Sequence, residues 1–486
     1  MDALQLVPVG TLLFFLPAAL LLLRGALSQR PHLPPGPPSL PLLGSVVWLT
    51  NSVAEIEPLL QRLFQRHGPI VALRMGARLS VFVADRHLAH TALVERGAAL
   101  ADRPQLVSSS SRRRAPGCAA CSPTSSGRRR RPTCRRMWWR RSNTPCSASW
   151  CSCASASALD EPAVSAIAVA EREALVYRSR NMPVFAFLTA VTKHLLRARL
   201  DTVRVLRRRV TELILPLIDA RRRYKINRRG GAGSEPRKQE ETTFEHSYVD
   251  TLPSGDGSER PLTDDEIVLL CAEFLDGGTD TTSTALQWIM AELVKNPTMQ
   301  EKLYTEITAI TTDDKEEVYE EDVHKMPYLK AVILEGLRKH PPAHFVLPHK
   351  AAEDMEIGGY LIPKGTTVNF MVAEMSLDER EWENPTEFSP ERFLPGGDGE
   401  GVDVTGTKEI RMMPFGVGRR ICPGLGVAML HLEYFVANMV RDFEWMEVPG
   451  HEVDFTEKNE FTVVMKKPLL PRLVPRMTTQ ISTNTH

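Results

Sequence analysis

The first pattern along the chain is an unbroken apolar one. From Ala3 to Leu23 no charged residue occurs, and at 1.5 Å per residue such a run spans about 30 Å, the depth of a bilayer core. A cleavable secretory signal ending near Ala26-Leu27-Ser28 is the rival reading, but its apolar part normally runs only about 7 to 15 residues. A retained anchor over residues 1–24 is therefore expected. Asp2 before the run and Arg24 and Arg30 after it place the remainder on the cytosolic side. Pro31 to Pro38, five prolines in eight residues, can form neither helix nor sheet and make residues 25–44 a stiff hinge. Beyond it, polar and apolar positions predict an amphipathic helix near Ile56 to Arg66, strands at Ile70 to Arg74 and Ser80 to Val83, and a helix from Asp85.

Helical spacing resumes at Leu159 and continues to about Tyr224, followed by a Gly-, Ser- and charge-rich connector over 228–258. Thr263-Asp264-Asp265-Glu266 has the form of a capping box, and a helical pattern follows up to Asn296-Pro297. A helix of about 32 residues extends about 48 Å and can cross a whole domain. In its middle stands Gly277-Gly278-Thr279-Asp280-Thr281-Thr282. A glycine pair there predicts a kink or a tight helix crossing. The functional reading is a widened groove where a small molecule approaches the backbone, with Asp280 and Thr281 supplying a proton path.

The loop Phe415-Gly416-Val417-Gly418-Arg419-Arg420-Ile421-Cys422-Pro423-Gly424 is the most specific text in the chain. Its glycines permit a tight turn around a planar ligand, and Pro423 suits the first position of a helix. Leu425, Ala428, Met429, Leu432, Phe435 and Met439 then recur at helical spacing and predict a buried face. Cys422 is thereby placed at a helix N-terminus, where backbone N–H groups and the dipole favour thiolate over thiol, a form able to ligate iron.

Composition adds limits. The 60 Lys and Arg against 59 Asp and Glu leave a net charge of +1 in 486 residues, so no whole-chain field attracts nucleic acid, and no nucleic-acid partner is expected. With 43% hydrophobic residues the chain can bury a large core. Of the 8 cysteines, those at 118, 121, 134, 146, 151 and 153 crowd together, which is no disulfide framework.

That crowding belongs to a segment of different character. Between Arg103 and Asp160 there is no Lys, Asp or Glu, while Arg112 to Arg114 and Arg128 to Arg131 form basic runs. A nucleic-acid patch, a zinc module on Cys118, Cys121 and Cys134, and a disordered loop are the conventional readings. The genetic code offers a sharper one. Codons for Cys and Trp both begin with TG, so reading from the third base of the preceding codon yields Leu, Met or Val. Met137-Trp138-Trp139 becomes Val-Val followed by Glu or Ala in that frame, which is helix text. Residues 105–157 are accordingly expected to be out of frame relative to an ancestral gene.

Taken together, Phe-x-x-Gly-x-Arg-x-Cys-x-Gly from Phe415 to Gly424, Glu-x-x-Arg at Glu335 and Arg338, Pro390-Glu391-Arg392-Phe393, and Gly277 to Thr282 resemble the cytochrome P450 superfamily, in the same order along the chain. Leu262 to Pro297 and Ala190 to Arg222 resemble plant microsomal A-type enzymes of family eighty-nine. The resemblance implies a mostly α fold with small β-sheets (α+β) over residues 45–475, with a tail at 476–486. It implies haem b (iron protoporphyrin IX) with Cys422 as axial ligand and Phe415 beside the sulfur. Gly416 and Gly424 shape the loop. Arg420 and, by position, His349 pair with haem propionates. Glu335, Arg338 and Arg392 form a buried structural network, and Thr281 and Asp280 serve oxygen activation. The implied activity is monooxygenation of a small lipophilic metabolite at the endoplasmic reticulum membrane, as a single-pass protein with a cytosolic catalytic domain. O2 is co-substrate, and electrons come from NADPH through a partner NADPH-cytochrome reductase. The implied propionate-clamping Trp-x-x-x-Arg helix falls inside 105–157, where Trp139 and Arg141 do not restore the spacing. Two rival functions follow: a haem-thiolate dehydratase or isomerase acting on hydroperoxides, and a membrane-anchored, catalytically dead relative.

Overall fold

The computed structural model describes residues 33–40, 44–45, 56–75, 78–104, 159–182, 194–230, 247–252, 260–311 and 317–476, with Phe185 and Thr192 besides. The anchor expected over 1–24, the segment 105–157 and the tail from residue 477 onward lie outside the described residues. Among the described residues no helix is long and apolar enough to cross a membrane.

Seven longer helices carry the fold. They are α1 (Ile56–His67), α2 (Glu161–Asn181), α3 (Arg197–Gly230), α4 (Asp264–Lys295), α5 (Pro297–Ile310), α6 (Pro327–Lys339) and α7 (Leu425–Asp442). The capping box of α4 forms as its sequence predicts: Glu266 N–H donates to Thr263 Oγ1 at 3.3 Å, and Thr263 N–H donates to the Glu266 carboxylate at 2.9 Å. All 32 residues of α4 make one uninterrupted helix, so Gly277-Gly278 does not break it. Two glycines cost about 1 kcal/mol each relative to alanine. That penalty is outweighed because the C-terminal half of α4, including Trp288, Ile289, Ala291 and Leu293, is buried on nearly every side. The largest core cluster joins this half to α2, α3, α5, α6 and α7. Helix α6 crosses α4 closely: a Cβ on Gly336 would lie 2.3 Å from Ile289 Cγ1.

The main sheet has six strands, β1 (Ser39–Leu40), β2 (Gly44–Ser45), β3 (Ile70–Met75), β4 (Arg78–Val83), β5 (His349–Lys350) and β8 (Thr367–Phe370), in the order β1-β2-β3-β4-β8-β5. Neighbours run antiparallel except β4 and β8, which are parallel with Val81 opposite Val368. The small pairs are β6 (Met355–Ile357) with β7 (Tyr360–Ile362), β10 (Glu457–Asn459) with β11 (Val463–Met465), and β9 (Phe443–Met446) with β12 (Arg472–Pro475). A second core of Ile70, Val81, Val83, Val368 and Phe370 lies against this sheet. Helix-rich with small sheets is the class the sequence implied.

Candidate active site

The cysteine loop is held by its own main chain. Cys422 N–H donates to Phe415 O at 2.9 Å, and Ile421 N–H to Gly418 O at 3.1 Å. Gly416 and Gly418 adopt φ of 64° and 71°, a region that favours glycine. At Gly418 a Cβ would also meet Leu93 O at 2.1 Å, so this glycine lets the loop seat against the segment before Ala99. Pro423 does not open the following helix: α7 starts at Leu425 with Gly424 as its N-cap. The turn between them, closed by Leu425 N–H on Cys422 O at 3.4 Å, leaves the proline outside the helix. Leu432, Phe435 and Met439 are buried as predicted, whereas Leu425, Ala428 and Met429 in the first turns are only half-buried. Burial pushes the Cys422 thiol up, and the N–H of Gly424 opposes it, so only the smaller influence has the sign expected from the helix terminus.

Beside this loop two guanidinium groups and an imidazole gather. Arg420 Nε donates to Ala101 O at 2.6 Å; Arg103 Nη1 donates to Leu347 O and, at 3.0 Å, to Pro348 O. Burial and the neighbouring Arg420 bring Arg103 down to about 10. Two guanidinium groups seated on main-chain carbonyls make a site for an anionic group, and haem carboxylates fit that chemistry. His349 lies in the same place, with Nδ1 at 2.7 Å from Leu100 O. Burial, then Arg103 and Arg420, bring its imidazole down to about 4, so it is neutral. Its one N–H is therefore spent on Leu100, and Nε2 offers a lone pair rather than a donor. Arg103 was not legible in the sequence, where it reads as one more arginine at the edge of an arginine-rich stretch.

On α4 the expected groove residues are arranged differently from one another. Gly277 is exposed, and a Cβ there would meet nothing within 4 Å. Thr281 Oγ1 donates to Gly277 O at 2.7 Å, making that carbonyl a shared acceptor. Asp280 is buried and ion-paired with Arg172 of α2, and its Oδ2 accepts from Thr462 Oγ1 at 2.7 Å. Thr462 Oγ1 is in turn 3.0 Å from Thr284 Oγ1, and Arg172 also reaches Glu460 at 2.7 Å. The turn between β10 and β11 thus touches the centre of α4. The loop Ala343–Val346 approaches from the other side: Val346 Cγ1 would lie 3.8 Å from a Cβ on Gly416. In that loop His344 bridges Glu57 at 2.9 Å and Glu457 at 3.4 Å, and these carboxylates raise it to about 9 despite burial.

The buried network has the three residues expected and two more. Arg338 donates to Glu335 at 2.7 and 2.8 Å and to Ser376 O at 2.9 Å. Arg392 Nε donates to Glu335 Oε1 at 3.1 Å and its Nη1 to Asp398 Oδ2 at 2.9 Å. Asp398 balances the charge, since two guanidinium groups then face two carboxylates. Trp382, 1% exposed, is stacked near Arg338, Arg392 and Arg411, whose guanidinium carbons lie 5.3, 5.8 and 4.6 Å from its ring centroid.

A cysteine presented on a glycine loop beside a cationic cradle for carboxylates is the donor set of a haem-thiolate protein. The comparisons agree: the family model for cytochrome P450 matches residues 34–133 and 151–473. The chain is 38% identical over 497 aligned positions to Cytochrome P450 89A9 of Arabidopsis thaliana, covering 91% of this chain and 94% of that protein. It is 38% identical to Flavonoid 3'-monooxygenase of Arabidopsis thaliana, over 46% of this chain and 44% of that one. It is 41% identical to (+)-menthofuran synthase of Mentha piperita, over 48% and 47%. These last two matches span about half of each protein. The chain belongs to the cytochrome P450 family. The break in the family match, residues 134–150, falls inside the segment of altered composition.

Proposed function

We propose that this chain is a haem-thiolate monooxygenase that inserts one oxygen atom of O2 into a small lipophilic metabolite. Electrons come from NADPH through a separate membrane-bound reductase. The reading rests above all on one convergence: Cys422 lies two residues from Arg420, which shares its corner of the fold with Arg103. Cys422 would ligate the iron, and Arg103 and Arg420 would take the propionates. Arg103 joins Arg420 and His349 as a candidate partner for the propionates. Bound haem supplies dioxygen activation, which a thiolate ligand favours by donating electron density. The protein's part is positional. Thr281 holds a hydroxyl on Gly277 O, Asp280 is ion-paired with Arg172, and the loops near Ala343 to Val346 and Phe461 to Val464 would contact a lipophilic substrate. Residues 3–23 would hold the protein at the endoplasmic reticulum membrane, with the catalytic domain in the cytosol.

Thr281→Ala removes the hydroxyl and leaves the helix. With reductase and a substrate in hand, product formed per NADPH should fall by about 100-fold, the lower range for a positioned proton-transfer group, with the electrons recovered as hydrogen peroxide. Unchanged coupling would remove Thr281 from the proton path.

A second reading, a relative that retains haem poorly, is favoured by the composition of 105–157. Sequencing the transcript across these codons, and expressing the chain as written beside a frame-restored one, separates the two. Stoichiometric haem and turnover in the chain as written would show that the segment is a functional insertion; haem only in the restored chain would show the frame to be at fault.

A further inference from the structure

Between α2 and α4 stand two carboxyl groups to which the chemistry above assigns nothing. Glu171 lies on the buried face of α2 with Ile167, Ala170 and Ala174, and is 8% exposed. Asp276 lies on α4 immediately before Gly277. The two side chains are within hydrogen-bonding reach of each other. Glu171 Oε1 and Asp276 Oδ1 are both buried, and neither has a donor. Asp276 Oδ2 accepts from Arg178 at 2.6 Å. Two carboxylates so placed cannot both ionise at ordinary pH, whereas one proton between them satisfies both orphaned oxygens at once. Burial first, and then Asp276, push Glu171 up to about 9, and burial raises Asp276 as well.

The other nearby acids have cationic partners of their own. With one shared proton the pair carries a single negative charge, faced by Arg178; Asp280 is faced by Arg172; Glu460 is faced by Arg180 and Lys458. On α4 the nearby Cys271 thiol, raised to about 12 by burial and by Glu171, is neutral. Helix α3 contributes apolar Leu206, Val210 and Ile214 to the same core, and its Arg209 pairs with Glu173 at 2.9 Å. The turn Tyr248–Thr251 stacks Tyr248 on Phe274 of α4 and keeps its Asp250 on Arg221. Among the described residues, then, Arg178 is the one guanidinium on the pair. Loss of the proton leaves two negative charges on opposing helices with a single positive charge to hold them.

Glu171 and Arg172 are consecutive on one rigid helix, and Asp276 and Asp280 are one turn apart on the other. Whatever separates the first pair across the helices also withdraws Arg172 from Asp280. We propose that Glu171 and Asp276 share one proton that fastens α2 to α4 and so keeps Arg172 on Asp280. The pair is a positioning device, not a catalytic one, and its importance to turnover rests on the proton-path reading of Asp280.

The direction of its pH dependence follows. Glu171 has a folded-state value far above the ordinary 4.5, so the stability it contributes is complete below about 4.5 and is lost as pH rises towards 9. The test is a double-mutant cycle between Arg172→Gln and Asp280→Asn, read by urea unfolding at about pH 7 and about pH 10 on either side of that value. In the wild-type background the Arg172–Asp280 coupling constant should fall roughly tenfold with pH, a pair interaction of ordinary size. In a Glu171→Gln background, where an amide N–H permanently replaces the shared proton, it should not change. The infrared spectrum should show a protonated carboxyl stretch, shifted in D2O, absent in Glu171→Gln and moved in frequency in Asp276→Asn, where its hydrogen-bond acceptor changes. Lack of that band, or the same fall with pH in Glu171→Gln, overturns the proposal. The carbon monoxide difference spectrum of the same samples reports iron ligation independently, so failure of the monooxygenase reading is distinguished from failure of this one.

Discussion

Replacing Cys422 with alanine will abolish both the thiolate-type spectrum of the reduced, carbon monoxide-bound protein and any monooxygenation, while the fold survives. The loop around it is closed by main-chain bonds from the N–H groups of Cys422 and Ile421 and by the positive φ of Gly416 and Gly418, none of which uses the sulfur. The side chain is half-buried and small, so its loss should cost no more than about 1 kcal/mol of stability. Far-ultraviolet circular dichroism and the urea midpoint of the haem-free variant should therefore match those of the haem-free parent. An unchanged spectrum would show that another group ligates the iron.

Arg338→Ala is expected to be the most destabilising single change in the catalytic region. Both Arg338 and Glu335 are 0% exposed, and the substitution leaves Glu335 with Arg392 as its remaining guanidinium while Trp382 loses a stacking partner. Breaking a buried pair by removing one partner costs about 3–5 kcal/mol, against a total margin of about 5–15 kcal/mol. Soluble expression and the urea midpoint should both drop sharply. The double change Glu335→Leu with Arg338→Met should be milder, because it removes a positive and a negative charge together and leaves Arg392 on Asp398. A single variant as stable as the parent would mean that the network contributes little.

Much of the site was legible because its chemistry is carried by short local strings. Cys422 with Arg420, Glu335 with Arg338, and Asp280 with Thr281 are neighbours in sequence, so helix or loop geometry alone brings them near one another. The capping box at Thr263 and the strands β3 and β4 were equally legible, since each depends on residues within one element. How helix survives through Gly277-Gly278 was less so, because local propensity weighs against helix there while burial of the rest of α4 weighs for it, and burial is a tertiary quantity. Pro423 failed for a related reason: Gly424, one residue further on, serves as the cap.

What the sequence determined on its own, then, is the class of chemistry: a cysteine on a glycine loop, a long helix with a hydroxyl beside glycine, and charge pairs at helical spacing. The tertiary structure decided which charges meet across elements. It set Arg172 on Asp280 across 108 residues, Asp398 and Trp382 in the buried network, Arg103 beside Arg420, and Glu171 against Asp276. No local rule could foretell these contacts, because a charged side chain on a helix looks solvated until another helix covers it. Once covered, the cost of an unpaired buried charge selects the partner.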